Sequence, residues 1–383
     1  MSRQSGRSSV SSGSGSSISS AGRRRSTFMR LQEQGLDMPD GMLAPTVRQR
    51  SSFAVQSIDR GSQQWDDILK PFVSDLVFRS IASRRYQDDG TITFRPYTCQ
   101  AAVLFVDLSG YSKITSALAH RGAHVISAAV NSYLTELLNI IKKHGGDVIK
   151  FAGDAILVVW EGDEQELEIN VLCAARCVLE LQRDAGVHPV EGTDHQFRIH
   201  CGLCCGPLDS EVFEAPVHTN MQRLYHYVGG QAMEEIGELV DLAKTGEIAI
   251  SSNCFNFLES GGTYDDIHDG PLGGEKLLRA LTYDDDHLIE LMDWHIEKSV
   301  EERWKRRNRA IEEDFIHYSV LANLSHGGLS PTQIAQMRNL CVLFIAMTSQ
   351  GDSVNWLLEI QAILDKNRCP IVQIIFDDKG YVK

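Results

Sequence analysis

Two aspartates, each at the end of an apolar run, constrain this sequence more than any other feature does. Residues 101–106 form an uninterrupted apolar run, which predicts a buried strand that Asp107 ends. Two shorter apolar runs, 148–152 and 155–160, flank a Gly-Asp pair and predict a hairpin with Asp154 at its tip. A carboxylate at the end of a strand and a second one at the tip of a neighbouring hairpin can converge on one point.

A turn rich in small residues follows Asp107 and leads into a short predicted helix. Two hard anionic oxygen ligands beside the free backbone N–H groups of such a turn suit Mg²⁺ and a nucleoside triphosphate. The alternative interpretation is that Asp107 and Asp154 are unrelated and only cap their strands.

Hydrophobic periodicity predicts an alternation of strands and helices around the two aspartates. Helices are predicted at residues 112–120, 123–144, 167–178 and 231–244. Further strands are predicted at residues 196–205, 224–228 and 247–251. The resulting order, β-αα-β-β-α-β-β-α-β, is typical of an α+β fold with a ferredoxin-like βαββαβ core and additions.

Two motifs in this sequence resemble the metal-binding motifs of the class III nucleotide cyclases. Residues 105–112 read Phe-Val-Asp-Leu-Ser-Gly-Tyr-Ser, against the family pattern Phe-x-Asp-Ile-x-Gly-Phe-Thr, and residues 150–154 read Lys-Phe-Ala-Gly-Asp, against Lys-Phe-x-Gly-Asp. The resemblance covers residues 93–258 and is strongest to the soluble, bicarbonate-responsive type of adenylyl cyclase. The Tyr and Ser in the first motif keep the aromatic ring and the hydroxyl of the family residues.

The resemblance implies an enzyme that converts ATP to cyclic AMP and pyrophosphate with two Mg²⁺ ions, or with Mn²⁺, for intracellular signalling. Asp107 and Asp154 are then the metal ligands and the catalytic pair, and the backbone carbonyl of Leu108 is a further metal ligand. The residues implied to bind the triphosphate through their backbone N–H groups are Ser109, Gly110, Tyr111 and Ser112.

The resemblance also implies that this domain supplies only half of a catalytic site. Self-sufficient relatives carry an Asn and an Arg on the helix after their second glycine-rich motif, and those positions fall on Glu234 and Glu238 here. Acids cannot replace these groups, because they repel a polyphosphate. A complementing second cyclase domain is therefore expected as a partner. The start of such a domain, with Ala346 and Gln373 where the family has a metal Asp and a base-reading Lys, is predicted at residues 338–383.

Lys150 and Val228 match two residues of the pocket that takes bicarbonate in the soluble type. The arginine of that pocket falls on Gly237. Loss of a charge-assisted contact argues against activation by bicarbonate. For Lys150, a lysine at a strand edge with no ligand remains an open alternative to an anion contact.

The chain divides into segments of different composition. The predicted segments are a disordered Ser/Arg-rich tail (1–60), a lead-in helix within 61–92, the cyclase-like domain (93–258), a largely helical linker (259–337) and the partial second domain (338–383). The tail lacks acids in its first 32 residues, which also fits a mitochondrial transit peptide, although the apolar face of such a peptide is missing.

Charge and composition exclude several other classes of protein. The whole chain has a net charge of −14 and the tail has nine Arg against four acids, so residues 61–383 carry −19 and a nucleic-acid partner is not expected. No apolar run approaches the roughly 20 residues of a membrane span. The scattered cysteines favour a reducing compartment, and Cys201-x-x-Cys204-Cys205 favours a strand over half a zinc site.

Two hypotheses of function follow from these observations. The first is an adenylyl cyclase of the soluble type in the cytoplasm, or in a cilium or flagellum. The second is a cyclase-like module without catalysis that is retained for binding or assembly, because the residues of the partner half-site are absent from residues 93–258.

Overall fold

The computed structural model of the chain describes a continuous core and several short flanking pieces. The described residues are 69, 72–82, 85–86, 92–214, 224–268, 270–282, 286–307, 315–316, 321, 359–360, 362–364 and 366–367. The predicted tail and nearly all of the predicted second domain lie outside the described residues.

Eleven strands and seven α-helices are described in these residues. The strands are β1 (Arg85–Tyr86), β2 (Ile92–Thr93), β3 (Tyr97–Ser109), β4 (Asp147–Ala152), β5 (Ala155–Gly162), β6 (Val187–Pro189), β7 (Gln196–Glu214), β8 (Leu224–Gly229), β9 (Ile248–Ile250), β10 (Gly262–Asp266) and β11 (Lys276–Leu281). The helices are α1 (Asp75–Ala82), α2 (Tyr111–Leu118), α3 (Ala123–Lys143), α4 (Leu167–Glu180), α5 (Gln231–Leu242), α6 (Ser252–Leu258) and α7 (Asp286–Arg307).

Nine of the strands form one sheet with the order β10-β11-β9-β7-β3-β5-β4, and β6 and β8 pair with β7. Strands β7 and β9 are parallel, whereas β3 is antiparallel to both of its neighbours. Because β3 lies between β5 and β7, it anchors the centre of the sheet. This topology and the order of elements confirm the predicted α+β, ferredoxin-like fold.

The alternation of side chains along β3 divides the core into two layers. Ala102, Leu104 and Val106 belong to a buried cluster with Tyr133 of α3 and residues of α4. The intervening Ala101 and Val103 face the opposite way and pack in a second cluster with residues of α5. This two-residue period places α3 and α4 on one face of the sheet and α5 on the other.

The long helix α3 matches the prediction closely. Tyr133, Leu137 and Ile141 are fully buried at four-residue spacing, as the predicted apolar stripe requires. The helix ends at Lys143, and Gly145 follows with a φ of 76°. A left-handed residue just after a helix is the usual C-terminal stop, and glycine adopts it without strain.

Strand β3 continues two residues past Asp107, which the sequence predicted to end it. The pairing of β3 with β7 continues through Asp107 opposite His200 and Ser109 opposite Arg198. Cross-strand hydrogen bonding therefore extends the strand beyond its apolar part. Asp107 consequently lies inside the strand, with its side chain on the same face as its cross-strand neighbour.

Helix α1 begins only at Asp75, within the segment 61–92 in which the sequence predicted a lead-in helix. Pro71 lacks an amide hydrogen and disfavours a continuous helix through its position. The carboxylate of Asp147 accepts hydrogen bonds from the backbone N–H groups of Asp75 and Leu76, at 2.8 and 3.2 Å. A side chain 72 residues away in sequence thus caps the start of α1.

The sheet extends beyond residue 258, where the predicted linker begins. Strand β11 pairs with β9, and β10 pairs with β11. Helix α7 follows these strands within the charge-dense segment that was predicted to be helical. Within the part of the chain that the structure describes, no helix is long and apolar enough to cross a membrane.

Candidate active site

The two aspartates of the sequence motifs lie near the end of β3 and in the turn between β4 and β5. Strands β3 and β5 are antiparallel, with Val106 opposite Ile156. One step further along this register, Asp107 falls opposite Ala155, the residue that follows Asp154. Asp154 itself stands in the turn that joins β4 to β5. The register therefore places Asp107 and Asp154 at the same end of the adjacent strands β3 and β5, although the sequence could place them only on separate elements.

Asp107 has a histidine as its cross-strand neighbour. His200 Nε2 lies 3.3 Å from Asp107 Oδ2, and the two side chains are 16% and 28% exposed. The other ring nitrogen of His200 is 3.4 Å from Ser109 Oγ, which is 3.3 Å from Thr245 Oγ1. His200 thus contacts the Asp107 carboxylate and is itself bonded to Ser109, while the carboxylate stays partly open to solvent.

Sequence reasoning did not identify His200. The only available signal was a polar residue between two apolar ones, Ile199 and Cys201, which is common on strands that face solvent on one side. Its approach to Asp107 depends on the pairing of β3 with β7, and local sequence does not encode that register.

The turn after β3 leads directly into helix α2, so it offers backbone N–H groups close to Asp107 in the chain. Gly110 has a φ of 97°, and a Cβ atom there would meet the backbone oxygen of Gln196 at 2.8 Å. Only glycine fits this position. Helix α2 begins directly after it at Tyr111, with no side-chain cap and no acid in its first turn. The first N–H groups of a helix lack intrahelical partners and attract anions, so residues 110–112 can receive a phosphate.

The oxygen atoms of Asp107 and Asp154 suit a magnesium ion that also binds phosphate oxygens of a substrate. The described residues contain no group of three or more His, Cys, Asp or Glu side chains that could hold a metal on their own. Mg²⁺ usually takes one or two carboxylates and completes its octahedron with water and phosphate oxygens. Asp107 and Asp154 supply that number. The Leu108 side chain is buried, so only its backbone oxygen could contribute.

Comparison with known proteins identifies the domain. Residues 95–275 match the family described as Adenylate and Guanylate cyclase catalytic domain. This match covers just under half of the chain, and over these residues the chain is similar to class III cyclase catalytic domains. The matched region continues past residue 258, as the sheet of the structure does.

Named relatives of the cyclase domain include the Adenylate cyclase type 10 proteins of mammals. The protein of Rattus norvegicus is 28% identical over 163 residues, which are 41% of this chain and 10% of the relative. The protein of Homo sapiens is 26% identical over 166 residues, with the same shares. The match thus spans about a tenth of the length of these curated relatives.

Solved structures of similar fold come from a fungus and a bacterium. The guanylyl cyclase domain of the RhoGC fusion protein from Blastocladiella emersonii is 19% identical, and the match covers 48% of this chain and 96% of that domain at a TM-score of 0.40. The adenylyl cyclase CyaB from P. aeruginosa is 20% identical, with coverages of 50% and 98% and a TM-score of 0.39.

Strand β8 carries a histidine near Lys150 that sequence reasoning also missed. His226 Nε2 lies 2.9 Å from Ser210 Oγ on the paired strand. Burial, and to a smaller extent the positive charge of Lys150, lowers the pKa of His226 to about 4. The imidazole is therefore neutral at physiological pH. Val228 is buried on the same strand, two residues from His226.

Helix α5 carries Glu234 and Glu238, the two positions at which the resemblance places the Asn and the Arg of self-sufficient relatives. Met233, Ile236 and Val240 are buried and fix the inner face of the helix. Glu234 is exposed and Glu238 is half-buried, one turn apart on the outer face. Gly237, at the position of the arginine in the anion pocket, is buried.

Proposed function

We propose that this cyclase domain binds a magnesium–ATP complex and provides the metal-binding half of an adenylyl cyclase, which converts ATP to cyclic AMP and pyrophosphate. The observation that supports the proposal is the position of Asp107 and Asp154 at the same end of the adjacent strands β3 and β5, with α2 beginning shortly after Asp107 in the chain. Similarity to class III cyclase catalytic domains supports the reaction class.

The proposed reaction is an in-line attack of the ribose 3′-oxygen on the α-phosphorus, with pyrophosphate as the leaving group. Two bound Mg²⁺ ions, or Mn²⁺ ions in their place, would lower the pKa of the attacking hydroxyl and neutralise the leaving group. The carboxylates of Asp107 and Asp154 would hold both ions, together with the backbone oxygen of Leu108. This arrangement supplies anionic oxygen where the hydroxyl and the phosphates converge.

The turn between β3 and α2 would bind the β- and γ-phosphates. Ser109, Gly110, Tyr111 and Ser112 offer backbone N–H groups, and the positive end of the α2 dipole adds to their attraction. His200 would hold the metal-binding carboxylate of Asp107 in position, because its Nε2 atom lies 3.3 Å from Asp107 Oδ2. The absence of an acid in the first turn of α2 avoids repulsion of the triphosphate.

The choice of ATP rests on the relatives named adenylate cyclase, because base recognition lies outside this half-site. The RhoGC domain is named as a guanylyl cyclase, so GTP is the nucleotide to compare. The seven described cysteines are free and buried, which fits the cytoplasm or a cilium as the compartment.

The proposal requires a second cyclase domain in the assembly. Glu234 and Glu238 can neither orient the ribose nor stabilise the negative charge of the transition state. Another chain, or a continuation of the predicted domain at residues 338–383, would bring these groups. A homodimer of identical half-sites would repeat the deficiency, because each copy carries the same acids.

The test is nucleotide binding by the purified chain, measured by calorimetry with ATP and GTP in the presence of Mg²⁺. Asp107→Ala and Asp154→Ala should each remove metal-dependent binding, while circular dichroism shows an intact fold. Asp184→Ala, which removes an exposed acid elsewhere, is the matched control and should bind as the parent does. Unchanged binding by either motif variant would refute the site.

The second candidate function is a module that binds nucleotide without turnover. The two acids on the outer face of α5 favour it, because they repel a polyphosphate at a facing site. A stable complex with a complementing domain that binds ATP and Mg²⁺ but forms no cyclic AMP would support this function over catalysis.

A further inference from the structure

A cavity of about 320 Å³ lies away from Asp107 and Asp154, and residues of α1, β4, β5, α4 and α7 line it. Cavities that bind small molecules in proteins measure about 300–1,000 Å³, so this one has room for a small ligand. Six carboxylates and two guanidinium groups stand on its described wall. This balance favours a cationic ligand over an anionic one.

Three of the six carboxylates have partners within the protein. Asp147 caps the start of α1 through two backbone N–H groups, and Arg303 of α7 lies 3.4 Å from Asp75 Oδ2. Arg79 of α1 binds Glu161 at 2.8 Å. Both guanidinium groups of the wall are therefore engaged, and these three acids need no ligand.

The other three carboxylates, Asp163, Glu166 and Glu302, form what we call the acidic rim of the cavity. Asp163 and Glu302 are exposed, and the Glu166 side chain is 38% exposed. Asp163 Oδ1 accepts from two backbone N–H groups at the start of α4, and Lys298 lies 3.8 Å from Glu166. Glu302 makes no ion pair with any residue that the structure describes. The rim thus keeps negative charge that water and solutes can reach.

A buried amide lies beside the acidic rim and has one end without a partner. Asn170 of α4 lines the cavity and is only 3% exposed. Its Nδ2 atom has no hydrogen-bond acceptor among the described residues. A Cβ atom on Gly162, which also lines the cavity, would lie 2.6 Å from this Nδ2 and 3.0 Å from Glu166 Oε2. Because a buried polar group without a partner is costly, a ligand group at this point would stabilise the amide.

The other end of the Asn170 amide contacts a histidine that suits either orientation of the amide. His295 Nε2 lies 2.9 Å from Asn170 Oδ1. Burial lowers the pKa of His295, so the ring is neutral at physiological pH and its Nε2 atom can donate or accept. A half-turn of the amide therefore keeps the contact with His295 and presents the carbonyl oxygen to the cavity, where it can accept from an ammonium group.

The wall beside the acidic rim also has an apolar part. Val159 and Trp160 of β5 are buried, and Ile296 of α7 is half-buried. Methylene groups of long cationic side chains pack on such surfaces while the charged end stays with its polar partners. The described residues contain no group of three or more His, Cys, Asp or Glu side chains that could hold a metal ion. An organic cation with methylene groups therefore fits this wall better than a metal ion.

We propose that this cavity binds a short aliphatic diamine or polyamine, whose ammonium groups contact the acidic rim and the Asn170 amide while its methylene chain packs on Val159, Trp160 and Ile296.

Calorimetric titration of the full chain with spermidine, at constant ionic strength and without nucleotide, tests the site independently of the proposed cyclase function. The parent should bind spermidine saturably. Asn170→Leu keeps the shape of the side chain and every charge but removes the amide, so affinity should fall by about tenfold. Glu302→Gln removes one charge of the acidic rim and should weaken binding by about two- to fivefold.

Glu301→Gln is the matched control, because it removes an exposed acid next to Glu302 that is not among the described lining residues. It should bind spermidine as the parent does. No saturable binding by the parent, parent-like binding by Asn170→Leu, or equal affinities of Glu301→Gln and Glu302→Gln would overturn the site. Displacement of spermidine by stoichiometric Mg²⁺ would assign the cavity to a metal ion and overturn the ligand class. If Asn170→Leu does not fold, the comparison of the two glutamate variants decides the question.

Discussion

The pair Asp107–Asp154 and the pair Asp75–Asp147 are both formed by aspartates from separate elements, but their environments are opposite. Asp107 and Asp154 are only partly buried, and they lie at the same end of strands β3 and β5, near the start of α2, which has no side-chain cap. Asp75 and Asp147 are buried and already bound to backbone N–H groups and Arg303. The proposed function has the first pair bind a metal ion, whereas the second pair is occupied by groups of the protein itself.

The comparison of the two pairs shows that burial determines whether an aspartate can bind a cation or serves as a structural cap. A carboxylate keeps its charge at a site that water or a cation can reach, and a metal ligand needs that charge. A carboxylate that is buried among protein donors becomes a structural cap whose charge is costly. The two ends of the β4–β5 hairpin therefore differ in function although both depend on aspartate.

The largest expected effect concerns the completeness of the first pair's site. The chain alone should form almost no cyclic AMP, because the absence of a single preorganised donor typically costs about 10²–10³ in rate and two are absent here. Addition of a second cyclase domain with the Asn and the Arg should restore turnover. Product formation is followed by chromatography before and after complex formation, and robust turnover by the chain alone would contradict the half-site.

The second prediction separates the two pairs by stability. Asp147→Ala leaves two buried N–H groups without an acceptor and should lower the free energy of unfolding by about 1–3 kcal/mol. Asp107→Ala should change it by less than about 0.5 kcal/mol, because the side chain is partly exposed. Urea denaturation measures the change in the free energy of unfolding for both variants, provided that their m-values are unchanged. Equal losses of stability in the two variants would contradict the distinction between the pairs.

Sequence predicted the elements that carry Asp107 and Asp154, whereas it gave no indication of the contact between Asp75 and Asp147. The hairpin and the strand before Asp107 follow from local apolar runs, and α3 from its four-residue stripe. Asp75 and Asp147 are 72 residues apart, and neither has a local pattern that reveals the contact. The same limitation applies to His200, whose place beside Asp107 depends on the register of β3 with β7.

Strand length shows the same division between local and long-range information. The predicted strand 196–205 corresponds to β7, which continues to Glu214 because its later residues pair with β8. Polar and proline residues in that extension hide it from a search for apolar runs. Long-range pairing, which no local window contains, therefore sets the strand limits around the site.

The third prediction tests the phosphate turn of the first pair. Gly110→Ala should destabilise the domain by about 1–3 kcal/mol, because it adds a steric clash to an unfavourable φ of 97°. Gly273→Ala is the matched control, with a φ of 80° and no heavy atom within 4 Å of its Cβ. The control should show the cost of the backbone conformation alone. A Gly110→Ala protein as stable as the Gly273→Ala protein would contradict the close approach to Gln196.

The smallest expected effect is the response to bicarbonate in a reconstituted assembly. Lys150 and Val228 match the soluble type of cyclase, but Gly237 occupies the position of the anion-binding arginine and is buried on α5. The nearby His226 is no substitute cation, because burial and Lys150 hold its pKa at about 4. Bicarbonate at constant pH, with chloride at equal ionic strength as the control, should therefore leave turnover unchanged. A dose-dependent rise that disappears in Lys150→Met would show that Lys150 alone can hold the anion, and this pocket would then resemble the first aspartate pair in having capacity for a ligand.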